Sequence, residues 1–362
     1  MHQTRRPIAG RLPVPRSLNV MADRPTWRPL PETTVTNDDK RATPPESPFL
    51  LERLMRHALL EETAVYESED DFRDAVREGG DDAIGERRRL ALTDNPREQA
   101  QELAYQAYEA EDAEQALALA EQALALDDHC VDALCVKAFL TREDPGDLIE
   151  ELEHAATTGE KRLGDEFFAE HMGGFWPLVE ARPYLRTLKQ LAEVLWTVGR
   201  RFDAVAYYEN LMDLDPGDQM GNARLLLGYY LAMGEVQRSW DLLEEVDDGR
   251  STVYAWAWVL LHLMVDDVAG AREALDNALA ANPYVAPWLA GVGDPGDREV
   301  QAGTRVVAGS EEEALITLDI LGEAWDCDPE AQSWLYDVLV DMGFIEDETF
   351  DEDEDDTPRP LN

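Results

Sequence analysis

A repeated pattern of apolar residues constrains the fold of this chain more than any other feature. Residues 185–216 and 252–283 correspond position by position at a separation of 67, and Pro216 matches Pro283 at the end of each unit. Because 67 is about twice 34, a further unit should lie between them, and matching residues are found there. A fourth copy lies upstream, around residues 103–128. Since a period of this size is typical of stacked units, the sequence predicts an array of four recognisable repeats.

Each repeat has the pattern of two helices joined by a tight turn. Apolar residues recur every three to four positions, and no segment alternates as a strand would. Small residues such as Ala192, Ala204 and Ala271 would let the two helices approach closely. Polar residues followed by acids, at Asn95 and Ser310 among others, mark helix starts. We therefore predict an all-α fold, a right-handed superhelical stack of helical hairpins (an α-solenoid).

The second helix of one repeat resembles that of the tetratricopeptide repeat. Its sequence is Tyr207-Tyr208-Glu209-Asn210-Leu211-Met212-Asp213-Leu214-Asp215-Pro216. The resemblance extends over about 95–283 and implies stacked hairpins with a concave groove that binds other proteins. It does not indicate which ligand they bind.

A narrower resemblance covers about 160–336. The similar segments are Arg182–Arg186, Leu191–Trp196, Gly199-Arg200, Asp215–Arg224 and Asn282–Leu289, followed by Glu313-Ala314, Trp325 and Trp334-Leu335. They resemble the suppressor of tumorigenicity seven family and its prokaryotic relatives. That resemblance implies no enzymatic activity and no cofactor.

Composition divides the rest of the chain. The predicted segments are a disordered Pro/Arg-rich N-terminus (1–46), atypical N-terminal capping helices (47–94), tetratricopeptide-like repeats (95–291) with an insertion at about 142–182, a loop (292–309), a C-terminal helix pair (310–345) and a disordered acidic tail (346–362). The basic N-terminal segment leaves open whether the chain starts at Met1 or Met21.

Net charge excludes two classes of partner. With 77 acidic and 32 basic residues, the formal charge of -45 repels nucleic-acid phosphates and anionic membrane surfaces. Only four basic residues are lysine, which favours adaptation to a salt-rich cytoplasm, as in halophiles; an acidic protein from an ordinary cell is the alternative. The longest apolar stretch, Val253–Val265, is shorter than the roughly 20 residues that a membrane span needs. We therefore expect a cytoplasmic protein, of undetermined oligomeric state.

The sequence contains no recognisable catalytic or metal motif. Three cysteines are too few for a disulfide framework, and His129, Cys130 and Cys135 have no second cluster to complete a metal site. We therefore predict no enzyme, no cofactor and no metal. The alternative is an enzyme with a site in the 142–182 insertion, near His171 and Trp176.

One group of polar side chains is predicted to share the groove. In the repeat register the group falls on the first helices of two adjacent hairpins and comprises Arg186, Lys189, Trp196, Asn222 and Arg224. Cations there can hold a carboxylate or an acidic peptide by charge-assisted hydrogen bonds. Gly228 stands where tetratricopeptide domains that bind a C-terminal carboxylate have an asparagine.

Our leading hypothesis is therefore a protein–protein interaction scaffold for an acidic or carboxylate-terminated peptide. Two alternatives remain open. The cations could pair with acids of the same chain, such as Glu193 or the acidic tail, which would then compete with a partner. The protein could instead be a constant structural subunit of a larger complex.

Overall fold

A computed structural model describes residues 49–60, 95–293, 300 and 306–346. The predicted disorder of 1–46 and of the tail beyond residue 346 lies outside the described residues. So do residues 61–94 of the predicted capping region and most of the predicted loop at 292–309. Within the described ranges the protein is helical and has no strand, which confirms the predicted all-α class.

The described helices follow one another with short connections. They are α1 (Leu50–Leu60), α2 (Pro96–Tyr108), α3 (Ala113–Leu126), α4 (Val131–Thr141), α5 (Pro145–His171), α6 (Arg182–Thr197), α7 (Arg201–Leu214), α8 (Asn222–Ala232), α9 (Val236–Val246), α10 (Thr252–Met264), α11 (Val268–Ala281), α12 (Val285–Leu289), α13 (Glu311–Asp326) and α14 (Pro329–Asp341). Two of the predicted starts are confirmed by their caps. The Asn95 side chain accepts the N–H of Arg97 at 3.1 Å, and Ser310 Oγ accepts the N–H of Glu313 at 3.3 Å.

Consecutive helices pair along the chain: α2 with α3, α4 with α5, α6 with α7, α8 with α9, and α10 with α11. Ala192, Ala204 and Ala271, the small residues predicted at helix contacts, are fully buried. Gly199 and Gly234 end the first helix of two pairs with φ of +80° and +71°. Glycine adopts this left-handed conformation without strain, so the tight turn can recur from pair to pair.

Region 142–182 is mostly the long helix α5. Gly164 interrupts it with φ of 81° and ψ of 160°, so the region consists of two helical stretches. The helix packs against both α4 and α6. It therefore occupies the position of a second helix in the array.

The first helices of the five pairs (α2, α4, α6, α8 and α10) form what we call the first-helix face. Within this face α2 contacts α4, α4 contacts α6, and α8 contacts α10, while Trp196 of α6 stacks on Tyr229 of α8. Helix α13 lies on this face against α8 and α10, and α1 reaches it through side chains described below. Two parts of the chain, far apart in sequence, therefore cover the face.

Gly228 is the point of closest approach between α8 and α13. A Cβ at Gly228 would lie 2.4 Å from the carbonyl oxygen of Ile320 and 3.2 Å from its Cγ2. A side chain there would push α13 away, so glycine is the residue that this packing needs. The difference from the asparagine of carboxylate-binding repeats therefore has a structural reason in this chain.

Candidate protein-binding face

Arg186 lies in a buried ionic cluster. From α6 its guanidinium donates to Glu52 of α1, with Nη1–Oε2 and Nη2–Oε1 distances of 2.7 and 3.0 Å. It also donates to Asp132 of α4, with Nε–Oδ1 and Nη2–Oδ2 distances of 3.1 and 2.5 Å. These three residues are at most 6% exposed, and Tyr105 adds a hydrogen bond from its hydroxyl to Glu52. The fork geometry of arginine allows one cation to satisfy two carboxylates.

The charges of this cluster stabilise one another. Burial alone would lower the pKa of Arg186, but the carboxylates of Asp132 and Glu52 outweigh it and raise that pKa above its ordinary value. Burial likewise acts to raise the pKa of Glu52, and the guanidinium of Arg186 reverses this, so the pKa of Glu52 is lowered. Both groups therefore stay ionised at neutral pH.

Helix α1 has further contacts on the same face. Phe49 stacks on Tyr105 and Tyr108 of α2, with ring centroids 4.8 and 5.4 Å apart. Two arginines of α1 bind acids that line α2: Arg53 pairs with Glu102 and Glu109 at 2.9 and 2.8 Å, and Arg56 pairs with Glu98 at 3.4 Å. Arg56 also donates to the carbonyl oxygen of Val179 at 3.2 Å.

Lys189, Asn222 and Arg224 form a second group with Asp218, which we call the central site. Lys189 and Arg224 are half-buried, and Lys189 Nζ donates to the carbonyl oxygen of Met220 at 3.2 Å. Asp218 accepts the backbone N–H groups of residues 222 and 223, at 2.6 and 3.1 Å, and so caps the start of α8. Asn222 is 1% exposed, and its Oδ1 accepts no hydrogen bond from the described residues.

Burial and neighbouring charges act together on the central site. Burial lowers the pKa of Lys189 and Arg224 adds to that effect, while Glu193 and Asp218 oppose it. Burial raises the pKa of Asp218 against the pull of its two backbone N–H donors and of both cations. Tyr254 of α10 feels the same charges, and burial is the main cause that raises its pKa to about 12. The site therefore lies between α6 and α8, and Tyr254 of α10 is close enough to sense its charges.

Trp196 lies under α13. Its ring stacks on Tyr229 of α8 with a centroid distance of 3.7 Å, and its Nε1–H donates to Glu323 of α13 at 2.8 Å. Arg201 pairs with the same carboxylate and lies over the Trp196 ring, 4.9 Å from its centroid. Both the indole and a cation therefore bind a glutamate of α13, a helix of the same chain.

The five predicted site residues thus fall into three environments. Lys189, Asn222 and Arg224 come together, whereas Arg186 points into the buried cluster and Trp196 contacts α13. Glu193 influences Lys189 electrostatically, as the sequence alternative suggests. Sequence reasoning did not find the acids that bind Arg186 and Trp196, namely Glu52, Asp132 and Glu323. Asp218 also lacked the local signal of an N-cap, because it lies four residues before α8 begins at Asn222.

The residues considered for metal binding or catalysis lie in packing or surface contacts. Cys130 and Cys135 are buried, and burial is the main cause that raises both pKa values to about 12, so they remain thiols at neutral pH. His171 packs edge-on against Phe167 with ring centroids 4.7 Å apart. The Trp176 ring lies under the Arg182 guanidinium, whose Cζ is 4.3 Å from the ring centroid.

The chain matches no protein-family model, and comparison with curated proteins gives no significant match. The two family resemblances therefore stay predictions from the motifs. In the part of the chain that the structure describes, no helix combines the length and the apolar character that crossing a bilayer requires.

Proposed function

We propose that this protein is a protein-binding adaptor of the tetratricopeptide kind, in which the first-helix face is the concave side of a right-handed superhelical stack. One observation carries the proposal. The face already holds two helices of its own chain, each through a glutamate bound to a donor of the predicted groove: Glu52 on Arg186 and Glu323 on Trp196. A face that binds glutamates of its own chain through such donors is suited to a carboxylate of another protein.

The central site is the position that we assign to the partner. Lys189 Nζ has three N–H donors, and within the described part of the chain it uses one on Met220. Both oxygens of Asp218 accept backbone N–H groups at the start of α8, which holds that carboxylate in place beside the two cations. A ligand carboxylate would therefore meet Lys189 and Arg224 as charge-assisted donors, each such bond contributing about 1.5–3 kcal/mol.

The two cations define the class of ligand. Asn222 is 1% exposed, so its side chain lies within the fold and the recognition depends on Lys189 and Arg224. We therefore propose an acidic or carboxylate-terminated peptide as the ligand.

Salt decides whether such binding is possible. A chain of net charge -45 repels an acidic partner at low ionic strength. At 1 M salt the screening length falls to about 3 Å, so the distant acids lose their effect while the contacts with Lys189 and Arg224 persist. Together with the scarcity of lysine, this supports a protein that works in the cytoplasm of a halophilic cell.

The test is affinity capture from the source cell in molar potassium chloride. The central site is disabled by Lys189→Glu with Arg224→Glu. The charge-matched control carries Arg97→Glu with Arg250→Glu, two exposed positions on other parts of the surface. A partner that the wild type and the control retain and the central-site variant loses supports the proposal. A partner that all three chains retain equally refutes the site.

A further inference from the structure

Helix α1 presents its contacts at the spacing of a helix that binds in a groove. Phe49, Glu52, Arg53 and Arg56 are at positions i, i+3, i+4 and i+7, which lie on one face of a helix. All four contact the surface beneath α1. Residues 49–56 thus present one aromatic and three charged side chains to this surface.

The receiving surface is complementary to these four side chains. An aromatic pair, Tyr105 and Tyr108, takes the Phe49 ring. Arg186 binds Glu52. A row of acidic residues along α2 binds Arg53 and Arg56. The acids of this row are Glu98, Glu102 and Glu109.

The surface keeps part of its pairing when α1 leaves. Arg186 makes two hydrogen bonds to Asp132, and Gln101 also donates to Asp132 at 2.5 Å. Departure of Glu52 therefore does not leave the guanidinium without a partner, and Glu52 itself regains water. A buried cation with no partner would make the same step far more costly.

The described side chains of this segment are those of residues 49–56. Phe49, which immediately precedes α1, joins the core formed by α2, α3 and α4. Leu54 packs with Leu50, Leu51 and Met55 of its own helix. In sequence, residues 61–94 separate α1 from α2. The contacts with the array described above for residues 49–56 are thus made by one ring and three charged side chains.

From these contacts we infer that the surface beneath α1 is a second binding site, for a partner helix with the pattern Phe-x-x-Glu-Arg-x-x-Arg. Helix α1 is then its intramolecular competitor. The inference rests on the proposed role of the first-helix face in binding proteins, but it concerns other residues than the central site. A tethered helix has an effective concentration on the order of a millimolar, so a partner must bind more tightly than α1 or α1 must first be released.

Peptide binding to the full-length chain tests this inference. The probe is a fluorescein-labelled peptide of residues 47–60 of this chain, followed by anisotropy in 1 M potassium chloride. The chain variant Phe49→Ala with Glu52→Ala weakens the competitor and leaves the receiving surface unchanged. We expect this variant to bind the peptide at least about tenfold more tightly than the wild type does, because the tethered helix no longer competes.

Two controls define the site. A peptide with the equivalent of Glu52→Arg should not bind, since it places a cation on Arg186. The chain variant Phe49→Ala, Glu52→Ala, Glu102→Arg should bind the normal peptide more weakly than its parent. Equal binding by the wild type and the first variant overturns the inference, and so do mixed dimers that exchange α1, because the occupant would then be a second copy.

Amide hydrogen exchange of the wild type is an independent test if the variants fold poorly. Amides of α1 should exchange well before those of α2, as expected for a helix that leaves while the array stays folded. Exchange of both helices at one common rate overturns the inference.

The chain with Lys189→Glu and Arg224→Glu separates the two proposals. Combined with Phe49→Ala and Glu52→Ala, it should still bind the peptide even if the central site has no partner.

Discussion

Gly228→Ala should destabilise the protein even though alanine is the better helix former. In an exposed helix the change from glycine to alanine stabilises by up to about 1 kcal/mol. Here the added Cβ would lie 2.4 Å from the carbonyl oxygen of Ile320, a backbone atom that cannot rotate away. Ordinary van der Waals contact begins near 3.4 Å, so α13 must move away from α8 by about 1 Å. Overpacking of this kind costs about 1–3 kcal/mol.

The displacement of α13 should also weaken a contact near its C-terminal end. Glu323 lies one turn beyond Ile320, and its hydrogen bond with Trp196 at 2.8 Å would lengthen. Since the penalty exceeds the gain in helix propensity, we expect a net loss of about 1–2 kcal/mol. Urea unfolding at a fixed potassium chloride concentration, followed by circular dichroism, measures that loss.

Gly322→Ala is the matched control within α13. Its Cβ would lie 3.4 Å from the nearest atom, Leu318 Cδ1, which is ordinary contact with a flexible side chain. This variant should be as stable as the wild type or more stable, by up to about 1 kcal/mol. If Gly228→Ala raises stability as much as Gly322→Ala does, α13 does not lie against α8 as described, and the reasoning fails.

Four further predictions concern charge. The melting temperature should climb by tens of degrees from dilute buffer to molar potassium chloride, and a flat dependence would remove the halophile argument. Because the folded-state pKa of Glu52 lies below 4.5, its pair with Arg186 stabilises fully above pH 4.5 and loses that effect as pH falls further. Glu52→Gln should therefore flatten this part of a stability–pH curve, whereas an unchanged slope would contradict the pair. Arg186→Met should cost about 3–5 kcal/mol by urea unfolding, since it leaves Glu52 and Asp132 buried without their cation; a loss below about 1 kcal/mol would be incompatible with the buried cluster. Deletion of residues 346–362 should strengthen binding of an acidic peptide, measured by anisotropy, because the acidic tail no longer competes for the central site; unchanged binding would contradict this competition.

Local signals account for the parts of the fold that the sequence predicts. The apolar period places the helices, and caps such as Asn95 and Ser310 give two of their starts. The same register brings Lys189, Asn222 and Arg224 onto one face, because first helices of adjacent repeats are equivalent by position. Each of these inferences depends on residues within one or two repeats.

The rest depends on contacts that no repeat register contains. Glu52 and Arg186 are 134 residues apart, and Trp196 and Glu323 are 127 apart. Periodicity identifies the apolar stripe of a helix but not the partner that covers it. The sequence therefore predicts α1 and the α13 region as helices at the two ends, and says nothing about their return to the middle of the array.

The contacts of α1 and α13 with α6 alter how the array should fold. In a simple repeat protein each unit touches only its neighbours, so ends can fray and units can fold in any order. Here the contacts across 134 and 127 residues close two large loops over the same central helix, α6. Closing loops of that length slows folding, because chain entropy is lost before the contacts form. Once closed, the loop to α13 ties the later helices of the array to its middle, so α6 to α13 should unfold together, whereas α1 can leave separately.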